Sequence, residues 1–262
     1  MGFFTRIRNI AAGVVAASAV VAAMTGAVQA QSTLEAIKQK GVMVVGSSAA
    51  YPPFEFVADG KLIGYDIDMA DEIARRMGIK LQWEKIDFKG IIAALTSKRV
   101  DVLITALTWT PERAERVAFS IPYFDAGIGA ITQPSSTITK LEDLEGKKVG
   151  VQLGSSGERF VREKLGSKVG QLLTYDAITL AINDLKNGRV EAVVNPLPVL
   201  RYNTRNEKGF RTTPIWDTRT VGINTRLEDK DLMAEINKHL TDLKAEGFLD
   251  KLEKKWFSAG NS

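Results

Sequence analysis

The 262-residue chain contains no cysteine, which excludes a disulfide framework and any thiolate metal site. It has one histidine, His239, so Ser-His-Asp catalysis and histidine-rich metal chemistry have almost no material to work with. The charged residues around His239, in a C-terminal helical pattern, predict a solvated position for it. Charge of one sign is also lacking. The 35 basic and 31 acidic residues are interleaved, and setting aside Arg6 and Arg8 of the first thirty positions leaves 33 basic residues. That distribution gives no nucleic-acid footprint. Beyond position 30 no apolar run reaches the roughly twenty residues of a membrane span.

The first thirty residues are different. Arg6 and Arg8 precede a small-residue apolar run from Ile10 to Met24, followed by Thr25-Gly26-Ala27-Val28-Gln29-Ala30. A charged start, an apolar core and a small-residue exit make a signal peptide covering 1–30, with cleavage after Ala30. The run is too short for a membrane anchor, and without cysteine a lipid-anchored mature N-terminus is excluded. The expectation is export to the periplasm.

From Val42 onward, strand-like and helix-like patterns alternate. Strands are expected at Val42–Gly46, Leu81–Ile86 and Val100–Leu107, and helices at Tyr65–Met77, stopped by Gly78, and Phe88–Ser97. The pattern restarts with strands at Lys148–Leu153, Leu172–Tyr175 and Val190–Val194 and helices at Ser156–Leu165 and Ala177–Asn187. Even the letters echo, since Ala93-Ala94-Leu95-Thr96-Ser97-Lys98-Arg99-Val100-Asp101 is answered by Ala181-Ile182-Asn183-Asp184-Leu185-Lys186-Asn187-Gly188-Arg189-Val190-Glu191. Two similar α/β units with largely parallel sheets follow, one continuous sheet being the alternative. Extended stretches at Tyr123–Gln133 and Phe210–Thr225, if both cross between the units, make a hinge, and the final helices at Leu232–Glu246 and Phe248–Trp256 return to the first unit.

Open α/β sheets bind ligands beyond the carboxyl ends of their strands. After Leu107 comes Thr108-Trp109-Thr110-Pro111-Glu112-Arg113, with Thr110 as an N-cap and Pro111 at the first helical position. Free N–H groups and a guanidinium suit a carboxylate; an ordinary capped turn with a surface arginine is the other reading. After Leu153, Gly154-Ser155-Ser156-Gly157-Glu158 opens a helix, and it matches neither a P-loop nor a dinucleotide fingerprint. It reads either as an anion cradle or as a plain cap. Two prolines hold Tyr51 and Phe54 in a loop, and Phe88 and Trp109 join them as an expected aromatic wall. No catalytic, metal or cofactor site is read anywhere in the chain.

These residues resemble a known family, the two-lobed periplasmic solute-binding proteins of polar amino-acid ABC transporters. The resemblance spans the whole mature chain and is carried by Tyr51-Pro52-Pro53-Phe54-Glu55, Gly64-Tyr65-Asp66-Ile67-Asp68-Met69-Ala70, Thr108–Arg113 leading to Phe119-Ser120-Ile121-Pro122-Tyr123, Gly150–Ser155, and Leu249–Trp256. It implies two doubly wound α/β lobes joined by a two-strand hinge, of the type II periplasmic binding protein kind. Lobe 1 would be 31–127 plus 220–262, and lobe 2 would be 128–219. By the same resemblance Arg113 grips a ligand carboxylate, helped by the N–H of Thr108 and the helix start at Ser155 and Ser156. Tyr51 and Phe88 sandwich the side chain, while the Ala106 carbonyl, Thr108, Ser48 and Asn195 lie toward the amino group, with Trp109 nearby. Asp66 and Asp68 are structural. The expected partners are a small carboxylate ligand and an ABC transporter permease, with the protein a monomer. A periplasmic dehydratase of prephenate-like acids on the same scaffold is the rival, for which Glu158 is the one candidate general acid.

Two positions depart from the family. Pro196 follows Asn195 where many members carry an aspartate, and Ser48 stands where several carry an acid. An ammonium buried without a carboxylate is costly. Either Glu158 or Asp87 takes that role, or the ligand is an opine-like secondary amine, a cyclic imino acid or a plain organic carboxylate.

Overall fold

In the computed structural model, which describes residues 31–257, the chain begins with α1 (Thr33–Lys40), β1 (Val42–Ser47) and a small meander of β2 (Ala50–Tyr51), β3 (Glu55–Ala58) and β4 (Lys61–Ile63). It continues with α2 (Tyr65–Met77), β5 (Lys80–Lys85), α3 (Ile91–Thr96), β6 (Val102–Leu103), α4 (Pro111–Ala114) and β7 (Ala118–Phe119). The long β8 (Phe124–Thr132) leads into β9 (Lys148–Gln152), α5 (Ser156–Lys164), β10 (Gln171–Tyr175), α6 (Ile178–Lys186), β11 (Ala192–Pro196) and α7 (Leu197–Thr204). Then come β12 (Arg211–Thr212), β13 (Asp217–Val221), β14 (Asn224–Thr225), α8 (Lys230–Ala245) and α9 (Phe248–Phe257). The expected signal peptide lies outside the described residues.

The fold is the expected mixed α/β arrangement in two lobes, each built on its own sheet. One sheet has the order β5-β1-β6-β14-β7 and the other β10-β9-β11-β8-β12, with β13 also paired to β8. In each, the first three strands are parallel and are wound the same way, with the earliest strand in the middle. The sequence echo has a physical counterpart here. Asp101 and Glu191, which end the two matching segments, each give a carboxylate to a backbone N–H of the neighbouring central strand, Val44 at 2.8 Å and Lys148 at 3.0 Å. Each also donates its own N–H to the carbonyl of that same residue.

Sheets that were expected to be largely parallel are mixed because the crossing strands join them antiparallel. β13 pairs with β8 from Asp217↔Ile128 to Val221↔Phe124, and β14 then joins β6 and β7. These two strands are the connection expected for a hinge. The small meander and α7, with Pro198 in its first turn, were not foreseen. Phe88–Ser97 is divided into a short 3-10 turn at Phe88–Gly90 and then α3.

α2 illustrates how sequence becomes packing. Ile67, Ala70, Ile73 and Ala74 recur at helical spacing and are buried, and Gly78 closes the helix at φ 69°, its N–H reaching Arg75. Each buried isoleucine stabilises by roughly 1.5–3 kcal/mol. Gly64 precedes the helix at φ 145°, where an added Cβ would stand 2.1 Å from the Phe54 carbonyl oxygen. Asp66 in the first turn is fully buried, accepting from the Ala106 N–H at 2.8 Å and the Tyr123 hydroxyl at 2.9 Å. Its structural reading thereby gains two named contacts. Asp68 accepts from Lys255 and from the Trp256 indole, both at 2.7 Å, which ties α9 to α2.

The expected strand at Val100–Leu107 is cut short after Leu103. Asp66 captures the Ala106 N–H, and Ala106 sits at φ 47°, so the chain leaves the ladder before the site. His239 is likewise not solvated. It lies on the inward face of α8 with Leu232, Ile236, Leu240 and Leu243 and is 7% exposed. On that face it sits among these apolar side chains, with Glu235 one turn earlier 3.6 Å from its Nε2.

Gly64→Ala should cost about 2 kcal/mol or more, by strain at positive φ and the clash with Phe54, read as a lowered urea midpoint with an unchanged m-value. Burial raises the Asp66 pKa to about 7, against the lowering effect of its two hydrogen bonds. A carboxyl whose folded pKa is raised contributes stability below its unfolded pKa, and that contribution is lost as pH rises through the folded value. Wild type should therefore lose melting temperature relative to Asp66→Asn between about pH 4 and 7, measured by thermal unfolding across that range.

Candidate functional site

The site begins where β6 ends. Thr110 caps α4 by accepting from the Arg113 N–H at 3.2 Å, with Pro111 at the first helical position. That cap turns the Arg113 side chain back under the loop, where it is 4% exposed. It is not a surface arginine. One guanidinium nitrogen donates to the carbonyl and the hydroxyl of Thr108, both at 2.7 Å, and the other donates to the Gly154 carbonyl at 2.8 Å. The guanidinium also faces the Phe88 ring, 5.8 Å from its centroid. Burial, followed by the charge of Arg159, lowers the Arg113 pKa to about 9. A desolvated cation of this kind gains from an anion brought within reach.

Across the cleft Ser155 caps α5, its hydroxyl accepting from the Glu158 N–H at 3.1 Å, and Ser156 is the buried first residue of the helix. Glu158 accepts from the Gly154 N–H at 2.6 Å and pairs with Arg162 at 2.8 Å. Both its oxygens are thus committed to the loop and helix that carry them. A cavity of about 180 Å³ lies beside these groups, bounded by Phe88, Leu107, Arg113, Gly154 and Arg159.

On the other flank Tyr51 is buried, and its hydroxyl accepts from the Asn195 side-chain amide at 2.8 Å. Asn195 lies on β11 and is fully buried, and its Oδ1 has no hydrogen-bond partner. Further bonds join the same two lobes. Glu112 pairs with Arg159, Lys89 with Asp176 at 3.3 Å, and the Asn203 amide donates to the Pro52 carbonyl at 3.2 Å.

The structure therefore gathers Arg113, Thr108, Phe88, Ser155 and Ser156 at one end, and Tyr51 and Asn195 at the other. The expected four-member aromatic wall is reduced to Tyr51 and Phe88. Phe54 is a core residue with no exposed surface, packed edge-on against Tyr65, Phe124 and Phe257. Trp109 is 44% exposed, and its backbone N–H donates to the Thr220 carbonyl. Asp87 is exposed, and both oxygens of Glu158 are engaged by Gly154 and Arg162.

Sequence reasoning missed Glu55 and Thr105. Glu55 has no exposed surface, and its Oε1 accepts from the Ser48 hydroxyl at 3.0 Å and the Thr105 hydroxyl at 2.6 Å. The Ser48 N–H in turn donates to the Thr105 hydroxyl at 3.2 Å. A glutamate inside the run Phe54-Glu55-Phe56-Val57, and a hydroxyl inside the apolar run Val102–Leu107, were the available signs of a buried polar network. Among the described residues no group of three or more His, Cys, Asp or Glu could hold a metal ion, and no helix is long and apolar enough to cross a membrane.

Comparison with known proteins bears on this geometry. The family described as bacterial extracellular solute-binding proteins, family 3, matches residues 43–259. The L-cystine-binding protein TcyJ of Escherichia coli (strain K12) is 31% identical over 257 residues, covering 96% of each chain. Among solved structures, an ancestral arginine-binding protein bound to arginine is 40% identical with a TM-score of 0.78, covering 83% of this chain and 98% of that one. An ancestral amino acid-binding protein, AncCDT-1, described as a precursor of cyclohexadienyl dehydratase, is 32% identical with a TM-score of 0.81, covering 86% and 100%. The chain belongs to the bacterial extracellular solute-binding proteins of family 3, and serves as the substrate-binding component of an ABC transporter.

Proposed function

We propose that this protein captures a small amino acid or amino-acid-like carboxylate in the cleft between its lobes, closes on it, and presents it as a monomer to the transporter permease. In this reading residues 1–30 direct export to the periplasm and are removed. Lobe 1 comprises 31–127 and 220–262, lobe 2 comprises 128–219, and β8 and β13 are the strands about which they close.

The observation that carries the reading is the buried Arg113 guanidinium, hydrogen-bonded to Thr108 in one lobe and Gly154 in the other. The ligand carboxylate binds Arg113 together with the N–H groups at the start of α5, where the helix dipole favours negative charge. Tyr51 and Phe88 flank the side chain, and Ser48, Ala106, Thr108 and Asn195 face the amino end, with Trp109 at the exposed margin. Contacts from both lobes give the ligand its preference for the closed state.

Catalysis is not part of this reading. A dehydratase on the scaffold would need a general acid in the cleft, and the Glu158 carboxylate is engaged by Gly154 and Arg162. Relatives named for cystine and arginine binding make those two amino acids the first ligands to try.

A panel of amino acids, opines, imino acids and prephenate-type acids should raise the melting temperature of the protein for one or a few members, by mass action on the closed state. No member should be consumed. Arg113→Ala should cost about 2–5 kcal/mol of binding, measured by calorimetric titration, and unchanged affinity would remove Arg113 from the site.

A further inference from the structure

The amino end of the cleft lacks the two acids that the family's pattern would put there, and the buried network behind Ser48 supplies another. The Ser48 hydroxyl has one proton, and it is spent on Glu55 Oε1. Its oxygen can then only accept, and within the protein it receives just a long contact of 3.4 Å from the Ala50 N–H. A ligand group meeting Ser48 must therefore be a donor. Asn195, next to Tyr51, gives one of its two amide N–H groups to the Tyr51 hydroxyl, and its buried Oδ1 is an acceptor without a partner among the described residues. Glu55 Oε2 is also buried with no partner. Arg113 thus presents donors, while Ser48, with Glu55 behind it, presents an acceptor.

We propose that Glu55 is the positioning acid of the amino end, orienting Ser48 as an acceptor and supplying negative charge one hydroxyl away from a ligand's primary ammonium. This rests on the reading of the cleft as an amino-acid site and selects within it. Opines, imino acids and plain carboxylates offer fewer N–H donors, or none, to the same three acceptors.

Burial, and after it the charge of Asp66, raise the Glu55 pKa well above the usual carboxylate range. Tyr51 and Tyr123 are the other titratable groups that feel its charge. A cation held at Ser48 draws that pKa back down, so ligand binding releases a proton.

The test uses calorimetric titration of the purified protein with the twenty common amino acids and L-cystine, each binder being paired with its des-amino analogue. For arginine the analogue is 5-guanidinopentanoate, and for cystine it is 3,3′-dithiodipropionate. Wild type should bind the amino acid at least tenfold more tightly than the analogue, with an enthalpy that varies with the ionisation enthalpy of the buffer. Glu55→Gln, checked for folding by circular dichroism, should lose about tenfold or more for the amino acid, keep the analogue within about twofold, and lose the buffer dependence. Adding Ser48→Asp to Glu55→Gln should restore the preference by placing a carboxylate directly at the ammonium.

Equal loss for both members of a pair, or no loss for either, overturns the role of Glu55. Binding of a plain carboxylate or opine with no amino-acid binder overturns it too while leaving the receptor reading intact, whereas failure of every carboxylate overturns both.

Discussion

The Arg113 guanidinium is a full charge taken out of water, and much of the molecule is arranged around making that tolerable. A buried cation is costly unless each of its donors finds an acceptor. Thr108 supplies two acceptors from its own lobe, and Gly154 supplies one from the other, for three of the five N–H groups. The Thr110 cap and the early exit of β6 from its ladder deliver the side chain to that position. A turn at Gly154, tied down by Glu158, delivers the carbonyl. A strong local electrostatic demand therefore coincides with a contact between the two lobes.

Behind this contact stands a second layer of buried polarity that determines where the loops can go. Asp66 holds the Ala106 N–H and the Tyr123 hydroxyl at once, joining the end of β6 to the entry of β8. Ala106 accepts a left-handed backbone as a consequence, a strain of order 1–3 kcal/mol of the kind that persists only where surroundings over-determine it. Glu55, through Ser48 and Thr105, braces the neighbouring loop. Asp66 and Glu55 thus hold the consecutive residues Ala106 and Thr105.

The alternation of strands and helices, and the echo between 93–101 and 181–191, made both α/β units readable, because periodicity and repeated spacing are local properties. The Thr110-Pro111 start and the Gly78 stop were legible on the same grounds. Burial of charge was less so. His239 looks solvated along the chain and is buried on its helix face. Glu55 looks like one more member of a loop motif, yet it is bonded by two hydroxyls, one of them from Thr105, fifty positions away. Phe54 and Phe88 are both aromatics near strand ends, and the packing of Tyr65, Phe124 and Phe257 around the first sends it into the core. What escaped sequence reading was set by contacts remote in sequence.

The account turns on a carboxylate held by Arg113 between two lobes, and a crystal structure of the protein purified with its own ligand tests that most directly. The account predicts a small carboxylate with both oxygens within hydrogen-bonding distance of the Arg113 guanidinium and the start of α5, and its far groups between Tyr51 and Phe88. A ligand whose carboxylate lies elsewhere, or one bound without contact to both lobes, would contradict it.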